Sequence, residues 1–344
     1  MARKILFALI VGAFVSTCTA TVLWVELEHY AIKPASAGDP SEKTVLIRGG
    51  QPFTAVAELL VSNGIVQSPL KLRMLARLRG VDRRLKAGEY VLSAAMTPQE
   101  ILTMLERGVV KLYRLTIPEG WTMQQIAEAV EAAGLGNAAD IIAVAGDPAL
   151  ARRHGIEADS LEGYLFPDTY LFPRGVAAET IVAVMLERFR QVFTPEWSRR
   201  AAELGLSVHA AVTLASIIEK ETGATAERPV ISSVFHNRLK RGMRLETDPT
   251  VIYGIDNFDG NLTRRHLMTP TPYNTYLIRG LPPGPIASPG SASLRAALYP
   301  AQTEYLFFVS RNDGTHVFST SLEEHNRAVR QYQLRQSDGS RSPR

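Results

Sequence analysis

No charged residue occurs between Ile5 and Val25, whereas the rest of the chain breaks into short alternating or helical-period segments. As a helix rising 1.5 Å per residue, this stretch spans roughly 30 Å, the thickness of a bilayer core. Arg3 and Lys4 precede it and Glu26 and Glu28 follow it. That asymmetry predicts a transmembrane helix over 5–25, with residues 1–4 in the cytoplasm and the remainder beyond the membrane. A cleaved signal peptide is the alternative, but Thr17-Cys18-Thr19-Ala20 is a poor small-x-small site because apolar residues resume at Thr21. A lipidated Cys18 meets the same objection, and all three readings export the chain.

Residues 26–43 contain Pro34, Ser36, Gly38, Pro40 and Ser41 without apolar periodicity, which predicts a linker. A repeat follows. Val45-Leu46-Ile47 through Gly50 to Asn63-Gly64-Ile65 recurs as Leu115-Thr116-Ile117 through Gly120 to Ala133-Gly134-Leu135. Each copy reads as a strand, a turn and an amphipathic helix ended by glycine. The first copy continues with a second helix from Leu70 to Arg79 and an alternating strand at Gly88-Glu89-Tyr90-Val91-Leu92. The resulting βααβ order over 44–112, with its closing Gly88-Glu89-Tyr90, resembles a LysM module, a glycan-binding fold; a structural subdomain without glycan contact fits the same pattern.

The remaining 113–331 reads as one larger mixed domain, so the fold class is α+β. Helical periodicity predicts helices over 122–133, 139–145, 179–192, 195–204, 207–221, 226–241, 291–298 and 321–334. Two alternating runs, Glu304 to Ser310 and His316 to Ser319, flank Asp313-Gly314 and predict a β-hairpin. Gly280 to Gly290 is a shaped Gly/Pro loop, and the polar, basic residues 332–344 read as a disordered tail.

Composition narrows the function classes. The 38 Lys+Arg against 34 Asp+Glu leave +4, with no run of five basic residues, so a nucleic-acid partner is not predicted. One cysteine, Cys18, rules out an intramolecular disulfide. His209, His236, His266 and His316 lack metal-ligand spacing, so no cofactor is expected. Neither a GxSxG motif nor a phosphate-binding loop occurs.

The 207–221 segment is the most informative for chemistry. Glu219 follows a face of Val208, Ala211, Val212 and Ala215, and Glu221 follows Leu214, Ile217 and Ile218. Both carboxylates fall on apolar faces, with Thr213, Ser216 and Lys220 as the polar stripe. A desolvated Glu219 suits a general acid; a buried ion pair with Arg228 or Arg238 is the structural alternative.

Several motifs occur together and in order. They are Ala215-Ser216-Ile217-Ile218-Glu219-Lys220-Glu221-Thr222, Phe235-His236-Asn237-Arg238-Leu239, Gly242 to Gly254, Tyr273-Asn274-Thr275-Tyr276 and Gly280 to Ile286, preceded by Glu162 to Tyr170. The set resembles the YceG-like endolytic murein transglycosylases over residues 5–331. The resemblance implies cleavage of the MurNAc-β-1,4-GlcNAc bond of nascent peptidoglycan strands without water, leaving 1,6-anhydroMurNAc ends and terminating strand growth. It gives the single acid/base role to Glu219 by motif position, and substrate contacts to Tyr273, Asn274, Tyr276, Glu246, Asp248, Asn237 and Glu162. Glu246 departs from the glutamine expected there, and a second carboxylate in the cleft would couple to Glu219 or position a water. The implied setting is a bacterial inner membrane with the catalytic domain in the periplasm, peptidoglycan as substrate and wall synthases as partners. A muramidase using Glu246 or Asp248, or a non-catalytic glycan-binding scaffold, are the competing readings.

Overall fold

The computed structural model describes residues 1–334. It divides into two compact units, residues 1–113 with 173–175, and residues 114–172 with those from 176 onward.

In the first unit α1 runs from Ala2 to Ile32 and is long and apolar enough to cross a membrane. It does not stop at Val25. Leu27, Tyr30 and Ala31 share one face by their spacing and are buried in the unit's core. The helix ends only at Lys33, which Pro34 forces into extended geometry. The expected linker 26–43 is therefore helical through Ile32, pinned at Ser36 by an N–H bond to the Ala94 carbonyl, and already in strand at Glu42. What sequence composition could not reveal was tertiary burial of three residues one turn past the apolar run.

β1 (Glu42–Ile47), α2 (Phe53–Ser62), α3 (Pro69–Arg79) and β2 (Gly88–Ser93) form the expected βααβ order, with β1 and β2 antiparallel and Val45 opposite Tyr90. α4 (Pro98–Arg107) follows behind a Thr97–Glu100 capping box and buries Ile101, Leu102 and Leu105.

The second unit opens on the second repeat copy. β3 (Tyr113–Thr116) leads to α5 (Met123–Ala132), α6 (Ala138–Ala145), α7 (Pro148–Arg153) and β4 (Thr169–Phe172), and β4 pairs with β3. The two copies match in detail. Gly50 and Gly120 have φ of 75° and 77° after the strand, and Ile65 and Leu135 each donate their N–H back across the helix end, to Leu60 and Val130.

Helices α8 (Ala178–Val192), α9 (Pro195–Glu203), α10 (Val208–Glu221), α11 (Arg228–Lys240), α12 (Asp248–Tyr253), α13 (Arg264–Met268) and α14 (Ser291–Leu298) build the rest. β5 (Phe307–Ser310) and β6 (His316–Ser319) make the expected hairpin, and α15 (Leu322–Val329) closes the unit. The segment over Arg330–Leu334 is helical, so residues 332–334 of the expected disordered tail are ordered, and 335–344 lie outside the described residues. Buried α10, packed on α14, α11 and α9, is the centre of this unit.

Candidate active site

α10 starts where Ser207 accepts the Ala210 N–H at 3.0 Å. Several of its polar side chains bond to the Gly/Pro loop. His209 Nε2 lies 2.8 Å from the Pro283 carbonyl, Ser216 Oγ accepts the Ile286 N–H at 3.0 Å, and Glu219 Oε2 accepts the Gly290 N–H at 2.9 Å. Spacings of seven and three put these side chains on one helix face, where they pin the Gly/Pro loop along the helix. Lys220 adds a bond to the Gly120 carbonyl at 3.1 Å, and Gly120 donates its N–H to Ser288. The Glu119 side chain packs over Gly290, where an added Cβ would displace its carboxylate.

Glu219 is the last rung of this ladder. Its other oxygen accepts Arg228 Nη2 at 2.8 Å, and the two side chains are 5% and 7% exposed. The ion pair weighed above is thus present, with Arg228 rather than Arg238 as partner. Both carboxylate oxygens are engaged by protein donors.

Glu221 points elsewhere. It opens into a cavity of about 460 Å³ lined by Asp248, Tyr276, Glu246, Arg238, Phe307 and His325, a volume in the range of small-ligand sites. Burial pushes its carboxyl up to about 7, against a hydrogen bond from Thr247 Oγ1 that favours the ionised form; the nearby Asp248 charge raises it further. Tyr276 donates its hydroxyl to Asp248 Oδ1 at 2.6 Å. Glu246, at φ 51°, is held by its N–H to the Thr275 carbonyl and by Arg238 Nη1 at 3.2 Å. Arg238 is itself buried and also bonds the Leu306 and Leu245 carbonyls at 2.7 and 2.8 Å, so it fixes the cavity wall.

The residues expected at the site therefore separate. Tyr276, Glu246 and Asp248 line the Glu221 cavity. Asn274 is fully buried and donates to the Leu267 and Thr269 carbonyls, while its Oδ1 accepts the Tyr276 N–H at 3.0 Å. Asn237 donates to the Thr303 and Tyr305 carbonyls at 2.9 Å. Both amides hold backbone. Tyr273 pairs with Tyr253, ring centroids 4.8 Å apart, and Tyr253 donates to Glu162 at 3.2 Å. Glu162 also accepts the Met123 N–H at the start of α5, and burial lifts its carboxyl to about 7. The Glu162 to Tyr170 segment that carries it leads into strand β4.

His325 and Phe307 were missed. Their rings stack with centroids 5.3 Å apart on the cavity wall. Among the described residues, His325 Nδ1 is one of the few buried polar atoms without a hydrogen-bond partner. Burial, with Arg238 nearby, lowers the His325 pKa and keeps the ring neutral. The signal available in the sequence was weak: His325 is the fourth residue of a capped helix, and Phe307 sits in a hairpin strand.

The described residues thus comprise an N-terminal helix long and apolar enough to cross a membrane and, in the second unit, an acid-lined cavity. The model of the YceG-like family matches residues 45–331, and the chain belongs to that family. It is 32% identical to a Bacillus subtilis endolytic murein transglycosylase over 88% of both chains. A Streptococcus pneumoniae endolytic murein transglycosylase is 28% identical over 88% of this chain, which spans 60% of that relative's length. The crystal structure of a YceG-like protein from Listeria monocytogenes superposes with a TM-score of 0.58 at 34% identity, covering 84% of this chain and 99% of that one.

Proposed function

We propose that this chain is a lyase, an endolytic murein transglycosylase held by α1 in the inner membrane, with its catalytic unit in the periplasm and Glu221 as its single acid/base. The class rests on family membership and on the names of its relatives. The observation that supports the chemistry is a glutamic acid pushed up to about 7 and open to a cavity, beside a second glutamate whose oxygens are both occupied.

In the proposed reaction the protonated Glu221 gives its proton to the oxygen linking MurNAc C1 to GlcNAc C4, and the C1–O bond breaks. The C6 hydroxyl of the same MurNAc attacks C1 and returns its proton to Glu221, closing the 1,6-anhydro ring. No water enters and the acid/base is regenerated. A retaining or inverting hydrolase needs a second free carboxylate; here Asp248 is engaged by Tyr276 and Glu246 by Arg238. Tyr276 and Asp248 are assigned to orient substrate, and Asn274 and Asn237 to shape the wall. Residues 44–112 act in this reading as a LysM-like accessory module. Nascent strands are the substrate, their cleavage ends elongation, and wall synthases are the natural partners.

The test incubates the full chain and its Glu221→Gln and Glu219→Gln variants with purified sacculi, and weighs the released fragments by mass spectrometry. Anhydro ends that vanish with Glu221→Gln are expected. Water-added ends would make the protein a muramidase with Asp248 or Glu246 under suspicion, and no product from the wild type would leave a glycan-binding scaffold.

A further inference from the structure

α3 has two apolar faces, and only one is used by the fold. Leu72, Leu75 and Ala76 are buried in the first unit. Leu70, Met74 and Leu78, spaced by four, form an outward stripe that is 61%, 39% and 60% exposed. Basic residues crowd around it. Residues 69–86 contain Lys71, Arg73, Arg77, Arg79, Arg83, Arg84 and Lys86 against the single acid Asp82.

The helix that carries this stripe is fastened to α1 just past the apolar run. Tyr30 donates its hydroxyl to the Ser68 carbonyl at 3.1 Å, and Lys71 pairs with Glu26 at 3.6 Å. Tyr30 lies five residues beyond Val25, about 7 Å along the helix. The seam between the two helices holds a cavity of about 520 Å³, with Val22 and Val25 at its apolar end and His29, Lys33 and Lys71 among its polar lining. Glu26, the partner of Lys71, lines it too, so the cavity sets apolar residues beside groups of both charges.

We infer that α3 is an interfacial helix: Leu70, Met74 and Leu78 sink into the surface of the bilayer that α1 enters, and the surrounding Lys and Arg residues hold anionic phospholipid headgroups. An apolar stripe flanked by Lys and Arg is the composition of helices that lie in the membrane plane, and anionic lipid attracts each juxtamembrane cation. Because α1 is rigidly packed into the unit rather than joined by a tether, this contact fixes the unit's attitude to the membrane. The inference rests on the reading of α1 as an anchor, so its test reports on both.

The full chain, with Cys18→Ser as background, is labelled with a nitroxide at single cysteines placed by Trp24→Cys, Leu78→Cys or Glu58→Cys and reconstituted in vesicles. Accessibility to oxygen is compared with accessibility to a water-soluble nickel chelate, in phosphatidylcholine with and without phosphatidylglycerol. The expected result is an oxygen-to-nickel ratio at position 78 several-fold above that at exposed position 58, close to that at position 24, and falling when phosphatidylglycerol is left out. Arg73→Glu with Arg77→Glu should abolish that lipid dependence. A lipid signature at 24 with an aqueous one at 78 overturns the inference and leaves the anchor standing. Protection of 78 from both reagents overturns it in favour of a protein partner or second copy, and an aqueous 24 removes the anchor and the inference together.

Discussion

Glu219 and Glu221 stand two residues apart on one helix and live in opposite surroundings. One is clamped between Arg228 and the Gly290 N–H; the other meets Thr247, the Asp248 charge and an open cavity. Two residues turn a helix by about 200°, so the Glu-Lys-Glu motif aims its acids at opposite sides. A motif identifies the helix end where chemistry happens, and the packing around each oxygen decides which acid is free to do it.

The largest effect that can break this contrast is Glu221→Gln, expected to lower turnover on sacculi about a thousand-fold, the scale of a lost general acid, with no loss of thermal stability. Glu219→Gln should act on stability instead. Buried Arg228 would lose the nearer of its two carboxylate partners and keep only half-exposed Glu119 at 3.6 Å, a cost of roughly 2 kcal/mol visible as a lower urea midpoint, while the folded fraction keeps turnover within about tenfold of wild type. Turnover abolished by Glu219→Gln at full stability would reverse the assignment.

Asp248→Asn sharpens the contrast through pH. Glu221 must be protonated to act as acid, so activity falls as pH rises through its pKa, set near 7 mainly by burial and raised further by the Asp248 charge. Removing that charge lets Glu221 ionise more easily. The alkaline limb of kcat/KM should therefore move to lower pH, by about one unit; a limb that stays in place would mean that Asp248 does not couple to the acid. A smaller effect is expected from His325→Ala. The ring lines the cavity wall with its Nδ1 buried and unpaired, so KM should rise a few-fold with kcat nearly kept, and His325→Asn should recover part of the loss.

The helices of the second unit were legible because their periodicity and caps agree, as at Ser207 and Thr194. The matched glycine turns at 50 and 120 were legible for the same reason: only a few residues tolerate those φ values. What escaped was decided by distant partners. Nothing local says that Leu27 and Tyr30 are covered, that Ser216 faces a loop seventy residues away, or that Asn274 and Asn237 spend their amides on backbone carbonyls. The resemblance assigned the acid/base role to Glu219 and the proposed reading moves it to Glu221 on the same helix, because a carboxylate's role depends on the donors that reach it.

Glu162 supplies the finest test, since burial also lifts its carboxyl to about 7 without placing it on the Glu221 cavity. A carboxyl whose folded pKa lies above its unfolded value binds its proton more tightly when folded. Stability is then highest below the unfolded pKa and declines as pH climbs through the folded one. Between about pH 6 and pH 8 each such group removes roughly 1 kcal/mol, so Glu162 and Glu221 together should make the chain measurably less stable to urea at the higher pH. Glu162→Gln keeps an acceptor for the Met123 N–H and the Tyr253 hydroxyl and removes one titration, so it should flatten the stability slope by about half while leaving the pH profile of turnover in place. Glu221→Gln should flatten the slope equally and abolish turnover. If Glu162→Gln instead shifts the activity profile, the Tyr253–Tyr273 cluster is coupled to catalysis, and an elevated carboxyl pKa marks two functional sites in this unit rather than one site and one buried strut.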